Sequence, residues 1–229
     1  MNVEQLGPYQ LEQREGVFPL GTDTLCLAEF VQPKAGERVW DLGCGSGALL
    51  LLLAAKGERL RLYGIELDPA GAELARDNLE RNGLAGTVLT ADLREADLPV
   101  GQADLVVANP PYYAPERGKT AAGSRGTARS QGSCPLDELC RAAARLLRSG
   151  GRFALCWPAE GMTDLLTALR TAGIEPKRFR LVQHRWDKAP FLVLAEGRRQ
   201  GKPGLQVLPV RVLTNEYEFG GAPCLERST

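Results

Sequence analysis

The segment Asp41-Leu42-Gly43-Cys44-Gly45-Ser46-Gly47 limits what this chain can fold into more than any other. It joins the segment 37–41, read as the first core strand, to an apolar helix expected at 48–56. Strand, tight glycine turn and helix, in that order, open a crossover unit, and crossovers belong to parallel sheets with helices packed on their faces. The alternation continues. Strands are expected at 60–65, 87–90, 105–108 and 153–157, with helices at 22–31, from 69, at 136–148 and up to about 170. Asp68 and Pro69 form a cap and first-position pair for the third helix. Two last strands, at 179–183 and 191–195, are joined by so short a link (185–190) that they must pair antiparallel. The expected fold class is therefore α/β: seven strands, mostly parallel, with an antiparallel C-terminal hairpin and helices on both faces.

A chain of 229 residues, 44% hydrophobic and 24% charged, can bury one substantial core, so a single domain spanning 1–229 is expected. Within it, 1–21 reads as an N-terminal arm, 113–134 as a mobile basic loop and 197–229 as a C-terminal extension. The first residues have no basic and apolar leader pattern, and no apolar stretch is long enough to cross a bilayer. Six cysteines lie far apart, none in CxxC spacing, and His184 is the single histidine, so neither a metal site nor a disulfide framework is expected. Formal net charge is zero, but residues 1–114 hold 9 basic against 17 acidic residues and residues 115–229 hold 19 against 11. The second half can therefore attract a polyanion.

Open α/β sheets bind ligands at the carboxyl ends of their strands. Gly43 and Gly45, with Cys44 between them, allow close backbone approach there. Glu66 ends the second strand, where a carboxylate can accept both ribose hydroxyls. Asp92, followed by Leu93, ends the third and suits an adenine amino group. The same glycines also match G-x-G-x-x-A of dinucleotide folds, a weak signal alone. Asp41 argues against that reading: it would repel dinucleotide phosphates but suits the amine of a cationic amino acid. Asp68 competes with Glu66 for the ribose, yet helix capping already accounts for it.

Asn109-Pro110-Pro111-Tyr112 follows the fourth strand. Tandem prolines stiffen the backbone and remove two N–H donors. The Asn109 side-chain oxygen and the Pro110 carbonyl then make a rigid acceptor pair suited to the two hydrogens of a planar amino group, with Tyr112 behind the flat system. Taken alone, the same letters also describe a stiff loop. Beyond them, Arg117, Lys119, Arg125 and Arg129 share a stretch with no acid from Arg117 through Leu136, which suits a nucleic-acid backbone or a solvated loop. Lys177-Arg178-Phe179-Arg180 reads as a charged strand edge, and His184 as an RNA contact or a surface residue.

Residues 20–200 resemble the S-adenosylmethionine-dependent methyltransferases with a Rossmann-like seven-stranded sheet. The glycine segment looks like their cofactor loop, and Asn109-Pro110-Pro111-Tyr112 like their amino-methylation motif. Phe18 to Ala28, Asn109 to Tyr113 and the tail Gly201 to Pro209 together resemble the bacterial tRNA(Val) anticodon-loop adenine-N6 methyltransferase family, with Tyr113 where that family often has Phe. The resemblance implies S-adenosylmethionine held by Thr22, Asp23, Asp41, Gly43, Cys44, Gly45, Glu66, Asp92, Leu93 and Asn109, with Gly21-Thr22-Asp23 over its methionine end. It implies catalysis by Asn109, Pro110 and Tyr112, and transfer RNA bound by Tyr112, Tyr113, Arg117, Lys119, Arg125 and Arg129. A cytoplasmic monomer using no metal is the matching expectation. Other planar amines remain open as acceptors: a protein glutamine, or a base of DNA or ribosomal RNA. Only about thirty residues precede the core, against the larger helical domain of the glutamine methyltransferases, which disfavours that acceptor. A non-catalytic RNA-binding module on the same fold is the rival outside enzymology.

Overall fold

The computed structural model describes residues 2–111 and 134–213. The chain runs β1 (Asn2–Leu6), β2 (Tyr9–Gln13), α1 (Thr22–Phe30), β3 (Arg38–Leu42), α2 (Ala48–Ala54), β4 (Arg61–Glu66), α3 (Pro69–Arg81), β5 (Gly86–Thr90) and β6 (Ala103–Ala108). It continues with α4 (Leu136–Leu146), β7 (Leu147–Pro158), α5 (Met162–Thr171), β8 (Ile174–Gln183), β9 (Leu192–Arg199), β10 (Gln206–Val207) and β11 (Arg211–Val212). The main sheet has the order β10-β8-β9-β7-β6-β3-β4-β5, with β11 also on β8. All its pairings are parallel except those of β9, which lies antiparallel between β7 and β8.

The strand periodicity of two splits the apolar residues between two cores. Val39, Leu105, Val107, Ala154 and Cys156 face a core built with Leu27, Leu50 and Ala75, from α1, α2 and α3. Trp40, Val106, Ala108, Phe153 and Leu155 face a second built with Leu139, Leu146, Leu165 and Leu169, from α4 and α5. Helices on both faces leave the carboxyl ends of β3, β4, β5 and β6 on one rim, and the site forms there.

Three expectations about elements need correction. The N-terminal arm contains a β-hairpin, which makes a separate two-stranded sheet. Its two-residue turn, Gly7-Pro8, has Gly7 at φ +61°, where glycine is favoured. The hairpin docks on α3 through two amides one turn apart. Asn78 Oδ1 accepts from the Glu12 N–H at 2.8 Å while its Nδ2 donates to the Glu12 carbonyl at 3.0 Å. Asn82 repeats this with Gln10, at 2.8 Å in both directions. The two side chains stand in for a neighbouring strand.

The fourth helix ends at Leu146, earlier than expected, and β7 begins at once, pairing Leu147 with Ala103 before a register shift. Strand β8 begins at Ile174, five residues before the expected start, because a bulge between Pro176 and Arg178 accommodates a residue that cannot donate to the ladder.

The run from Lys177 to Arg180 is not the free charged edge expected, since β10 pairs with Arg178 and Phe179. Arg178 pairs with the buried Glu196 at 3.1 Å and lies 4.4 Å over the Phe30 ring. The C-terminal extension covers β8: Leu208 N–H donates to the Phe179 carbonyl and Leu213 N–H to the Gln183 carbonyl, both at 2.9 Å. Two short strands thus join the seven long ones.

Candidate active site

The glycine turn is pinned to its neighbour strand. The N–H groups of Gly43 and Cys44 both donate to the Ile65 carbonyl, at 2.8 and 3.1 Å. Gly45, at φ +51°, donates its N–H to Glu66 Oε2 at 2.8 Å, and the Asp68 N–H donates to Glu66 Oε1 at 2.9 Å. Gly47, at φ +79°, starts α2 where an added Cβ would stand 3.3 Å from Ala75 of α3. Asn78 Nδ2 also donates to the Ser46 carbonyl at 3.0 Å, tying the turn to the N-terminal hairpin. Asp68 spends its own carboxylate on capping α3, accepting from the Ala70 N–H at 3.2 Å, which leaves Glu66 as the carboxylate facing the crevice.

A cavity of about 200 Å³ opens over this turn. Asp41, Gly43, Cys44, Gly45, Glu66, Asp92, Leu93 and Asn109 all line it, so eight of the residues read from sequence as cofactor ligands come together. Asp41 is 2% exposed, and burial together with the charge of Glu66 pushes its carboxyl up to about 8. Burial, then Asp41 and Glu66, also raise the Cys44 thiol far above its ordinary range, so it stays neutral. Asp92 has a partner of its own. Its carboxylate is already held by Arg94, whose Nε lies 2.9 and 3.0 Å from the two oxygens and whose backbone N–H donates at 2.9 Å. That hydrogen bonding holds Asp92 below the usual carboxylate range. An adenine amino group would share this carboxylate with Arg94.

A second cavity, about 340 Å³, meets the first at Phe18, Asn109, Pro110 and Pro111, which line both. Thr22 and Asp23, expected at the cofactor, line this second cavity instead, along with Gly21, His184 and Phe191. Successive helical residues turn by about 100°, and it is Thr24 whose side chain reaches the first cavity. Burial raises the Asp23 carboxyl while His184 opposes that shift.

Asn109 is held from both sides. Its Nδ2 donates to Thr24 Oγ1 at 2.8 Å, and the Cys156 thiol lies 2.9 Å from its Oδ1. A thiol is a donor here and the amide oxygen its acceptor, so the pair of contacts fixes which way the amide faces. Neither partner was singled out from sequence: Cys156 looks like a small core residue of β7, and Thr24 like one more residue of α1. Tyr112, Tyr113, Arg117, Lys119, Arg125 and Arg129, and all of the expected basic loop except Cys134, lie outside the described residues. Cys134 lines the first cavity. Among the described residues no cluster of His, Cys, Asp and Glu is arranged to hold a metal ion, and no helix is long and apolar enough to cross a membrane.

Residues 9–169 match the model of the methyltransferase small domain. The chain belongs to that family. It is an S-adenosylmethionine-dependent methyltransferase, and the lining of the first cavity suits that cofactor: acidic side chains at Asp41 and Glu66, a glycine turn whose backbone comes close, and apolar walls at Ile65, Leu67, Ala91 and Leu139. Over 205 residues the methyltransferase is 30% identical to the tRNA1(Val) (adenine(37)-N6)-methyltransferase of Porphyromonas gingivalis, covering 83% of this chain and 78% of that one, and it belongs with that relative. The protein of the same name from Tolumonas auensis is 28% identical over 214 residues, 91% of this chain and 89% of the relative. A predicted O-methyltransferase from Agrobacterium tumefaciens, Atu636, shares the fold with a TM-score of 0.68 at 21% identity, over 88% of this chain and 92% of that structure.

Proposed function

We propose that this methyltransferase acts on the exocyclic N6 amine of an adenosine in transfer RNA, in the anticodon loop. The observation that carries the proposal is the position of Asn109-Pro110-Pro111, the shared wall of a cofactor cavity and a second cavity large enough for one nucleobase. The names of the relatives from Porphyromonas gingivalis and Tolumonas auensis, both tRNA1(Val) (adenine(37)-N6)-methyltransferases, support the choice of acceptor.

When bound, the cofactor supplies an electrophilic methyl group on a sulfonium. The rest is the work of the chain. An exocyclic amine is a poor nucleophile because its lone pair is delocalised into the ring. The Asn109 oxygen and the Pro110 carbonyl accept its two hydrogens and aim the nitrogen across the shared wall. Orientation of this kind is worth up to about 7–11 kcal/mol in the best intramolecular models, so no strong base is needed. Asn109 is neutral, and the methylated amine sheds its proton to solvent afterwards. Tyr112, next in sequence after Pro111, would stack on the base. Stacking is worth about 1–3 kcal/mol per base, comparable with the cost of extruding a base from a loop. Such a substrate places the enzyme in the cytoplasm.

The test is to incubate the protein with methyl-labelled cofactor and, separately, total transfer RNA, DNA and protein extract, then to digest and identify the labelled product. N6-methyladenosine from the transfer-RNA fraction is expected. Label confined to glutamine, cytosine or guanine would overturn the acceptor.

A further inference from the structure

We propose that the turn between β8 and β9, led by Trp186, is a stacking platform for a nucleotide adjoining the methylated base. This deepens the transfer-RNA reading above and rests on it.

Of the Phe, Tyr and Trp side chains among the described residues, only Phe18 and Trp186 are exposed, at 69% and 80%. Phe18 lines the second cavity, and Trp186 lies two residues beyond His184, which lines it too. The aromatic rings elsewhere are buried or half-buried in the fold. An exposed indole contributes nothing to folding that a polar residue would not, and this one is carried by the turn that His184, a residue of the second cavity's wall, leads into.

The backbone of the turn that carries the ring is held in place. Val182 pairs with Leu192 at its base, and the Phe191 N–H donates to the Val182 carbonyl at 3.0 Å. Inside it, the Lys188 N–H donates to the Arg185 carbonyl at 3.1 Å, and Arg185 reaches both oxygens of Asp187 at 3.0 and 3.2 Å. His184 stacks on Phe191 with centroids 4.1 Å apart and planes 5° from parallel, so the segment joins the cavity wall directly. Arg185 and Lys188 outweigh Asp187, which leaves the turn with a net positive charge.

These features fit single-stranded RNA. A base drawn into the second cavity drags its neighbours to the mouth, where they lose their stacking partners. A flat ring on a rigid, positively charged turn replaces the lost stack and tolerates any base. A basic or purely apolar partner would not use that combination.

The experiment compares wild type with Trp186→Ala and Trp186→Phe, using unmodified transfer RNA. The ring is exposed, so neither variant should change the melting temperature, cofactor affinity or kcat at saturating RNA. Loss of one stack should raise KM for the RNA about tenfold in the Ala variant, with Phe close to wild type. Acrylamide quenching gives a second readout, since Trp40 is 4% exposed and Trp157 half-buried. Quenching of the wild type should fall when transfer RNA is added. An unchanged KM in Trp186→Ala, with methyl transfer to transfer RNA intact, would overturn the platform and leave the substrate reading standing. Protection that grows with protein concentration and ignores RNA would overturn it in favour of a second copy of the chain. Failure of the wild type to methylate any transfer RNA would remove both.

Discussion

Cofactor binding should release a proton from Asp41, and the size of the effect follows from its burial. The ligand-free carboxyl titrates near 8, held up by burial and by Glu66. A cationic amino group placed against it favours the ionised form and lowers that value. Only the ionised fraction then binds without cost, so affinity should rise about tenfold per pH unit below the ligand-free value. At about pH 6, some 1% of the sites are ionised, and affinity should be weaker than the plateau by about 100-fold, or roughly 2.7 kcal/mol. The useful window ends at about pH 7.5, because an α-amino group itself loses its proton near 8. Calorimetry in buffers of different ionisation enthalpy counts the protons directly, and nearly one should be released per cofactor bound at the acid end. Asp41→Asn should bind weakly with an affinity that no longer changes across the window. Equal wild-type affinity at both ends, with no proton released, would refute the reasoning. The same carboxyl acts on stability with the opposite sense. An unfolded Asp ionises near its model value of 3.8, whereas the folded one holds its proton to about 8, so ligand-free stability falls as pH rises between those values and is flat above. The melting temperature of Asp41→Asn should therefore gain on that of the wild type from about pH 4 to pH 8.

Two further expectations concern residues that hold others in place. Cys156→Ala removes the donor facing Asn109 Oδ1 and should lower kcat about three- to tenfold, the worth of one hydrogen bond, with cofactor affinity unchanged; Cys156→Ser should restore most of it. Equal kcat in all three proteins would show that the thiol does not orient the amide. Asn78→Ala strips hydrogen bonds from both backbone groups of Glu12 and from the Ser46 carbonyl. It should cost about 3 kcal/mol in urea unfolding and weaken cofactor binding through the glycine turn. A stability loss without any change in affinity would confine Asn78 to the hairpin.

The parts of the fold legible in the sequence are those buried on two sides. β6 lies between helices on both faces, so every residue but Asp104 is apolar and the run stands out, while β3 is marked by its buried Val39 and Trp40 ahead of the glycine turn. The hairpin Asn2–Gln13 is different: only Leu6, Leu11 and the paired carboxylate of Glu12 are buried, and its partner strand is supplied by two asparagine side chains of a helix far along the chain. No local pattern announces that. The start of β8 is hidden by Pro176 and the charges around it, which a bulge and Glu196 absorb. In the site, Asp41, Glu66 and the glycines could be read because strand ends present ligand-binding groups by geometry. Thr24 could not be separated from Thr22 and Asp23, since the rotation of α1 decides which residue faces which cavity. Cys156 joins the site across the sheet, from the strand beside β6, and spacing along the chain carries no trace of that contact.

The central claim is that Asn109, on the wall shared by both cavities, acts on the rate chiefly by orienting an acceptor amine. Its most direct test is the single-turnover rate of methyl transfer to unmodified transfer RNA by Asn109→Ala, with the cofactor dissociation constant measured alongside. The account predicts a rate constant lower by about 100-fold or more, an amount within reach of lost orientation, and a dissociation constant within about twofold of the wild type. An undiminished rate would contradict it, as would a loss that saturating cofactor restores.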